Sequence, residues 1–208
     1  TLHFKPRARL IRTIGDKLIS GPEAAVIELV KNAHDADASF ARVIFEPPLV
    51  ERKGRIIVED DGHGMTFADV EEKWMEPATT DKIDRQESPG GRILLGSKGI
   101  GRFAAAKLGR FQALMTTAKV SEDGVKFETT LLSDLDWDEF EKRKYLSEIS
   151  FPVELEHSEE GKTGTRLEIR SLRNTWTEKS IRVLHQEMRR LISPLEEVDK
   201  AEFRIFLD

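Results

Sequence analysis

Glu28-Leu29-Val30-Lys31-Asn32-Ala33-His34-Asp35-Ala36 sets Glu28, Asn32 and Asp35 at i, i+4 and i+7. At about 100° per residue, all three fall within a sector of roughly 60° on one helix. Val26, Leu29, Val30 and Ala33 occupy the opposite side. Such a helix buries an apolar face and turns a carboxylate, an amide and a second carboxylate toward a common space. The run from Pro22 to Ala38 has no internal breaker, and proline is favoured in a helix's first turn. A solvated face explains two carboxylates well but explains Asn32 poorly. Asparagine is a mediocre helix former, whereas its carbonyl oxygen is a hard ligand suited to a metal-bound polyphosphate.

Downstream, Glu59-Asp60-Asp61-Gly62-His63-Gly64-Met65 follows the apolar strand Arg55 to Val58. An acid and two spaced glycines at a strand end make a tight turn that lets backbone approach a ligand closely. An ordinary Asp-Gly hairpin is the competing reading. His63 has no second histidine at ligand spacing, so a metal there is disfavoured. A third segment, Gly96-Ser97-Lys98-Gly99-Ile100-Gly101-Arg102-Phe103, opens onto a helix expected over 100–108. Converging N–H groups and a helix N-terminus form an anion cradle suited to phosphates. It is not a Walker loop, because Arg102 and Phe103 follow Gly101. Gly99-Ile100-Gly101-Arg102-Phe103-Ala104 also fits the loose dinucleotide pattern, with Glu122 about 20 residues on. That reading leaves Glu28, Asn32 and the Asp60 turn without a role.

Around these segments, apolar spacing predicts a first helix over 7–20 and strands over 40–46 and 54–60. Thr66 and Asp69 read as a capped helix start carrying Phe67, Val70 and Trp74. Residues 76–98 read as a long functional lid with little core contact. Further strands are expected over 111–118, 125–132, 149–155 and 165–170, and a last helix is marked by Ile181, Leu184, Met188 and Leu191. The fold class is therefore α/β, a two-layer α/β sandwich with a mixed, mostly antiparallel sheet.

Composition narrows the function classes. The chain has 208 residues, no cysteine, and 33 basic against 38 acidic side chains for a formal charge of −5. This disfavours general affinity for nucleic acid while leaving room for a local basic patch. The longest uncharged stretch runs only from Phe111 to Ala118, far short of the ~20 residues of a membrane span. A cytoplasmic location and no membrane partner are the expectation. The start at Thr1 and the alternating Phe203, Ile205 and Leu207 read as cuts in a longer protein, with one domain over 1–200 and a following domain beginning at 201–208.

In this order, the three segments resemble the GHKL superfamily of ATP-binding domains: gyrase B subunits, large heat-shock chaperones, histidine kinases and MutL proteins. Glu28 to Ala36 is similar to its asparagine box, Asp60 to Met65 to its first glycine box, and Gly96 to Gly101 to its second. Gly164-Thr165 is similar to the closing Gly-Thr, and residues 119–162 carry no family motif. The resemblance implies a Bergerat ATP-binding fold with ATP and Mg2+ as ligands. It makes Asn32 the magnesium ligand and Asp60 the acceptor for the adenine amino group. Gly64 would let the base lie close, and Thr165 would support Asp60 through water. Gly99, Ile100, Gly101, Arg102 and Phe103 would hold phosphates, with Lys98 and Lys82 neutralising charge. Asp35, Gly62, Met65 and Thr80 carry over as further nucleotide-site positions.

Glu28 is the residue that activates water in the hydrolysing branches and is generally missing from histidine kinases. The resemblance thus implies a magnesium-dependent ATPase whose lid closes and whose full-length form dimerises on ATP. Nucleic acid or client proteins would be met through other domains. An ATP-sensing module without hydrolysis and a histidine-kinase-like domain are the alternatives.

Overall fold

Seven strands, β1 (Phe40–Glu46), β2 (Arg55–Asp60), β3 (Gly109–Ser121), β4 (Lys126–Asp136), β5 (Val153–Ser158), β6 (Gly164–Leu172) and β7 (Arg204–Leu207), form one sheet. Their order is β5-β4-β3-β6-β2-β1-β7. Every pairing is antiparallel except β1 with β7, which run parallel. The sheet is thus mixed and mostly antiparallel, as expected. The helices are α1 (Arg9–Leu18), α2 (Pro22–Asp35), α3 (Phe67–Asp69), α4 (Ala104–Leu108), α5 (Glu139–Lys142) and α6 (Glu178–Val198). The computed structural model describes residues 3, 5–76, 86–96, 101–121, 126–198 and 203–208.

Strand alternation decides which side each residue serves. Ala41, Val43, Ile56, Val58, Leu167, Ile169 and Leu114 are buried and form one core with Val26, Val30 and Ala33 of α2 and Leu184 of α6. Arg42, Glu59, Arg166 and Glu168, on the alternate positions, carry charge, although Ile57 between Ile56 and Val58 is also buried. Arg166 reaches Glu59 at 2.6 Å, Arg42 reaches Glu59 at 3.5 Å, and Arg55 reaches Glu168 at 3.4 Å. Opposite charges on neighbouring strands let the sheet show this face to water without like-charge repulsion.

α4 is fixed from several sides. Trp137, 2% exposed, meets Phe103 edge-on at 6.3 Å and Phe140 at 5.2 Å. Arg173 Nε donates to Ala106 O at 2.8 Å, while its other arm reaches Asp138 at 2.7 Å. Arg12 of α1 also reaches Asp138, at 3.3 Å. The segment without family motifs therefore braces α4, the helix that opens at the glycine-rich loop.

Several expected boundaries shift for local reasons. α2 stops at Asp35 instead of Ala38, because Asp37 takes a left-handed φ of 58° and the Ala38 N–H returns to Ala33 O at 3.2 Å. This is a helix-ending turn of the Schellman kind. The strand expected over 149–155 becomes β5 at Val153–Ser158, because Ile149 and Phe151 pack against the core after a tight turn at Leu146–Glu148. The Thr66/Asp69 cap is present, but only three helical residues follow it before a wider turn. Arg204–Leu207, within the stretch expected to lead into a following domain, lies beside β1 with Ala41 opposite Ile205. Among the described residues no helix is long and apolar enough to cross a membrane.

Two glycines with left-handed backbone separate strain from space. Gly64 has φ +67°, and a Cβ there would sit 1.9 Å from Thr117 O; Gly91 has φ +84° with nothing within 4 Å. Gly91→Ala should cost about 1–2 kcal/mol, the left-handed strain alone. Gly64→Ala should cost at least about twice that, since the β2 turn must also lift off β3. Urea unfolding of the two variants checks the difference.

Candidate functional site

α2 lines one wall of a cleft of about 820 Å³ with Glu28, Asn32 and Asp35, so the three-residue stripe does meet a common space. The apolar side of the same helix lies in the core. Glu28 Oε1 accepts from Lys31 Nζ at 2.8 Å, one helical turn on. Its other oxygen faces the start of α4. A Cβ at Gly101 would stand 3.6 Å from Glu28 Oε2, 3.4 Å from Asn32 Nδ2 and 3.5 Å from Asn32 Oδ1. Gly101 thus lines the cleft beside the asparagine segment, with room at most for a methyl group between them.

At the other end of the cleft, the turn after β2 presents two adjacent acids in different states. Burial pushes the Asp60 carboxyl up to about 6, against the lowering effect of backbone N–H groups of Gly62 and Thr165. The Gly62 N–H reaches Asp60 Oδ1 at 2.9 Å. Asp61 is also partly desolvated, yet it is held below the usual carboxylate range by Ser39 and the Phe40 N–H. Ser39 N, Ser39 Oγ and Phe40 N donate to it at 2.7, 2.5 and 3.1 Å. Asp61 therefore fastens the turn to β1, while Asp60 lines the cleft as an acceptor with unused capacity. Val58, Leu114, Leu167 and Met65 supply apolar lining.

The close approach at this turn is built from the glycines. A Cβ on Gly62 would strike Ala36 O at 2.6 Å, and the His63 N–H donates to that same oxygen at 2.9 Å. The Met65 N–H donates to Thr116 Oγ1 at 2.9 Å, and Thr116 Oγ1 lies 3.2 Å from Thr165 Oγ1. Thr165 thus belongs to a hydroxyl pair that ties the turn to β3 and β6. His63 Nδ1 lies 2.7 Å from Gly64 O.

Residues 86–96 do not hang loose over the cleft, contrary to the expectation for 76–98. Asp35, 6% exposed, accepts from the Leu95 N–H at 2.8 Å and the Gly96 N–H at 3.1 Å. Asp37 accepts from Ser88 Oγ and from the Gly90 N–H. Arg92, 6% exposed, donates to Ala38 O at 2.6 Å and stacks its guanidinium 5.8 Å from the Phe203 ring centroid. Sequence reading took Asp35 for a nucleotide-site residue; its described bonds go to this segment. Asp37, Ser88 and Arg92 were missed, since only the left-handed turn after α2 brings them together. Asp69, Lys73 and Trp74 also line the cleft and carried no motif.

Of the remaining expected site residues, Thr80, Lys82, Lys98, Gly99 and Ile100 lie outside the described residues, as does the side chain of Arg102. Phe103 is buried in the core with its ring against Trp137. Among the described residues no group of three His, Asp or Glu side chains could hold a metal ion.

Glu28 and Asn32 on α2, Gly101 beside them and the desolvated Asp60 thus line one cleft. Among curated proteins, none matches the chain. A family match covers residues 19–165, well over half of the chain and the whole of this cleft's described motif residues. The chain belongs to the family of histidine kinase-, DNA gyrase B- and HSP90-like ATPases.

Proposed function

We propose that this ATP-binding domain takes magnesium-ATP and hydrolyses it slowly, with Glu28 as the base. The observation that carries this reading is that Gly101, Asn32 and Glu28 line one cleft so closely that a Cβ on Gly101 would stand 3.4–3.6 Å from both side chains. This sets glycine backbone that would hold phosphates beside a hard carbonyl oxygen and a carboxylate. Adenine would enter at Asp60, its amino group donating to the carboxylate while Gly62 and Gly64 let the ring approach the turn. The apolar residues Val58, Leu114 and Leu167 would cover its faces.

Asn32 fits a magnesium ion, which keeps several waters and needs only one or two protein oxygens beside the phosphates. When bound, magnesium would neutralise charge on the terminal phosphates. Glu28 would accept a proton from water as that water's oxygen bonds to the γ-phosphorus and the bond to the bridging oxygen breaks, leaving ADP and inorganic phosphate. Lys31, held to Glu28 Oε1 at 2.8 Å, orients the carboxylate. Lid closure and ATP-dependent dimerisation would follow occupancy. Light scattering with a non-hydrolysable analogue checks the last point.

Glu28→Ala should bind ATP nearly as well as the parent and hydrolyse it about 10²–10⁴-fold more slowly, the usual worth of a general base. Asn32→Ala should instead lose the magnesium-dependent part of binding. Full turnover by the Glu28 variant would favour a sensor or a kinase over a hydrolase.

Asp60 gives a pH test with opposite signs for binding and stability. Its folded pKa of about 6 lies above the ordinary value of 3.8, so the native state holds the proton more tightly than the unfolded chain. Stability of the nucleotide-free domain should therefore be greatest below pH 4 as far as this group is concerned, and fall as pH rises through 4–6. Asp60→Asn should remove that cost, worth at most about 3 kcal/mol at pH 7, and raise the melting temperature. The same variant should lose adenosine binding, because an amide donor would face the adenine amino group. In the parent, adenosine affinity should drop by up to about tenfold per pH unit below pH 6. Calorimetry with adenosine avoids titration of the phosphates. Unchanged affinity in the variant would refute the adenine assignment.

A further inference from the structure

Beyond the glycine turn, the chain builds a second wall of the cleft that none of the family motifs covers. Thr66 and Asp69 cap each other, with the Asp69 N–H on Thr66 Oγ1 at 3.1 Å and the Thr66 N–H on Asp69 Oδ2 at 3.0 Å. The Phe67 N–H is pinned to Glu128 of β4 at 2.5 Å. After this cap the Met75 N–H reaches back five residues to Val70 O at 2.8 Å, a widened turn of a kind often found at functional sites. Val70 is buried in the core, while Asp69, Lys73 and Trp74 line the cleft. The wall is anchored at its start, at Val70 and through Trp74, which packs against the core.

The charges facing the cleft make Lys73 conspicuous. Among the described lining residues the acids are Glu28, Asp35, Asp37, Asp60, Asp69 and Glu87, and the lysines are Lys31 and Lys73. Lys31 sits on Glu28. Lys73 Nζ lies 2.5 Å from Asp69 Oδ1 with half of its side chain exposed. A nucleotide adds several negative charges to a space already lined by carboxylates, and an exposed i,i+4 ion pair holds a lysine only weakly. A phosphate competes well for such a cation, because a charge-assisted bond in a cleft shielded from water is stronger than one at the surface.

We infer that Lys73 is a phosphate-binding residue of the nucleotide site, resting on Asp69 while the cleft lacks nucleotide and passing to the α- or β-phosphate when nucleotide binds. This rests on the adenine-nucleotide reading above and adds a contact to it. Lys73 forms no part of the base pocket and none of the water-activating group. It would contribute to ADP and ATP affinity alike and not to that of the nucleoside.

Calorimetric titration of the parent, Lys73→Met and Lys73→Arg with adenosine, ADP and ATP tests this. Lys73→Met should bind adenosine as the parent does and bind ADP and ATP at least about tenfold more weakly. Lys73→Arg should recover most of the loss. The ADP affinity of the parent should also fall more steeply with salt than that of Lys73→Met. Equal weakening of adenosine and ADP would make Lys73 a structural support of the wall, and unchanged ADP affinity would remove it from the site; either result overturns the inference while leaving the adenine reading in place. A parent that binds none of the three ligands would overturn both.

Discussion

How closely α4 approaches its neighbours governs what the cleft can do. A Cβ on Gly101 would come into ordinary contact with Asn32 and Glu28, while one on Gly15 of α1 would meet Phe103 O at a tight 3.0 Å. A Cβ on Gly109, where α4 runs into β3, would strike Ile169 at 2.5 Å. Between these glycines stand Ala104, Ala105 and Ala106, all buried. Larger residues here would push the helix outward, because cores at native density give way by moving backbone or leaving strained rotamers. The start of α4 would then lose its place against the polar stripe of α2. The small residues thus matter to chemistry through distance, although none of them carries a reactive atom.

Much of this arrangement was legible because it is periodic. The α2 stripe, the β1–β2 pair and the capping pair at Thr66 and Asp69 each rest on local spacing that survives folding. What escaped depends on contacts between distant parts of the chain. The alternation of Phe203, Ile205 and Leu207 announces a strand, but nothing local says that it will lie parallel to β1 in the same sheet. β5 was displaced because Phe151 and Ile149 are taken into the core by a tight turn, and apolar residues read equally well as strand or as plug. The family resemblance located Asp60 and Asn32. It gave no hint of Asp37, Arg92 or Lys73, whose roles arise from how this chain closes the cleft.

The two neighbouring aspartates after β2 show how a site is divided between holding and binding. Asp61 takes three donors from Ser39 and Phe40 and stays ionised as a brace. Asp60 is desolvated with fewer donors, so its charged form is costly in the empty cleft. A ligand that donates a hydrogen bond to Asp60 relieves this cost, which is an interaction gained only in the complex. In the reading proposed above, the same carboxylate would lower the stability of the nucleotide-free domain and raise its preference for a donor-bearing base. Natural sites often retain such a residue against the interest of stability.

The clasp at the end of α2 bears on how closure could work. Asp35, Asp37 and Arg92 fix residues 86–96 to the same helix that carries Glu28 and Asn32. Arg92 and His34 both contact the ring of Phe203, the residue that leads into β7. A shift of α2 would therefore be felt at once by this wall of the cleft and by the edge strand. Because Asp35 and Arg92 are buried and hydrogen-bonded, breaking the clasp would expose unpaired charge to a dry environment, a cost of several kcal/mol. These contacts thus join α2, residues 86–96 and Phe203 at the entry to β7. The more weakly held parts of the cleft, such as the Lys73–Asp69 pair, are then the ones free to rearrange around a ligand.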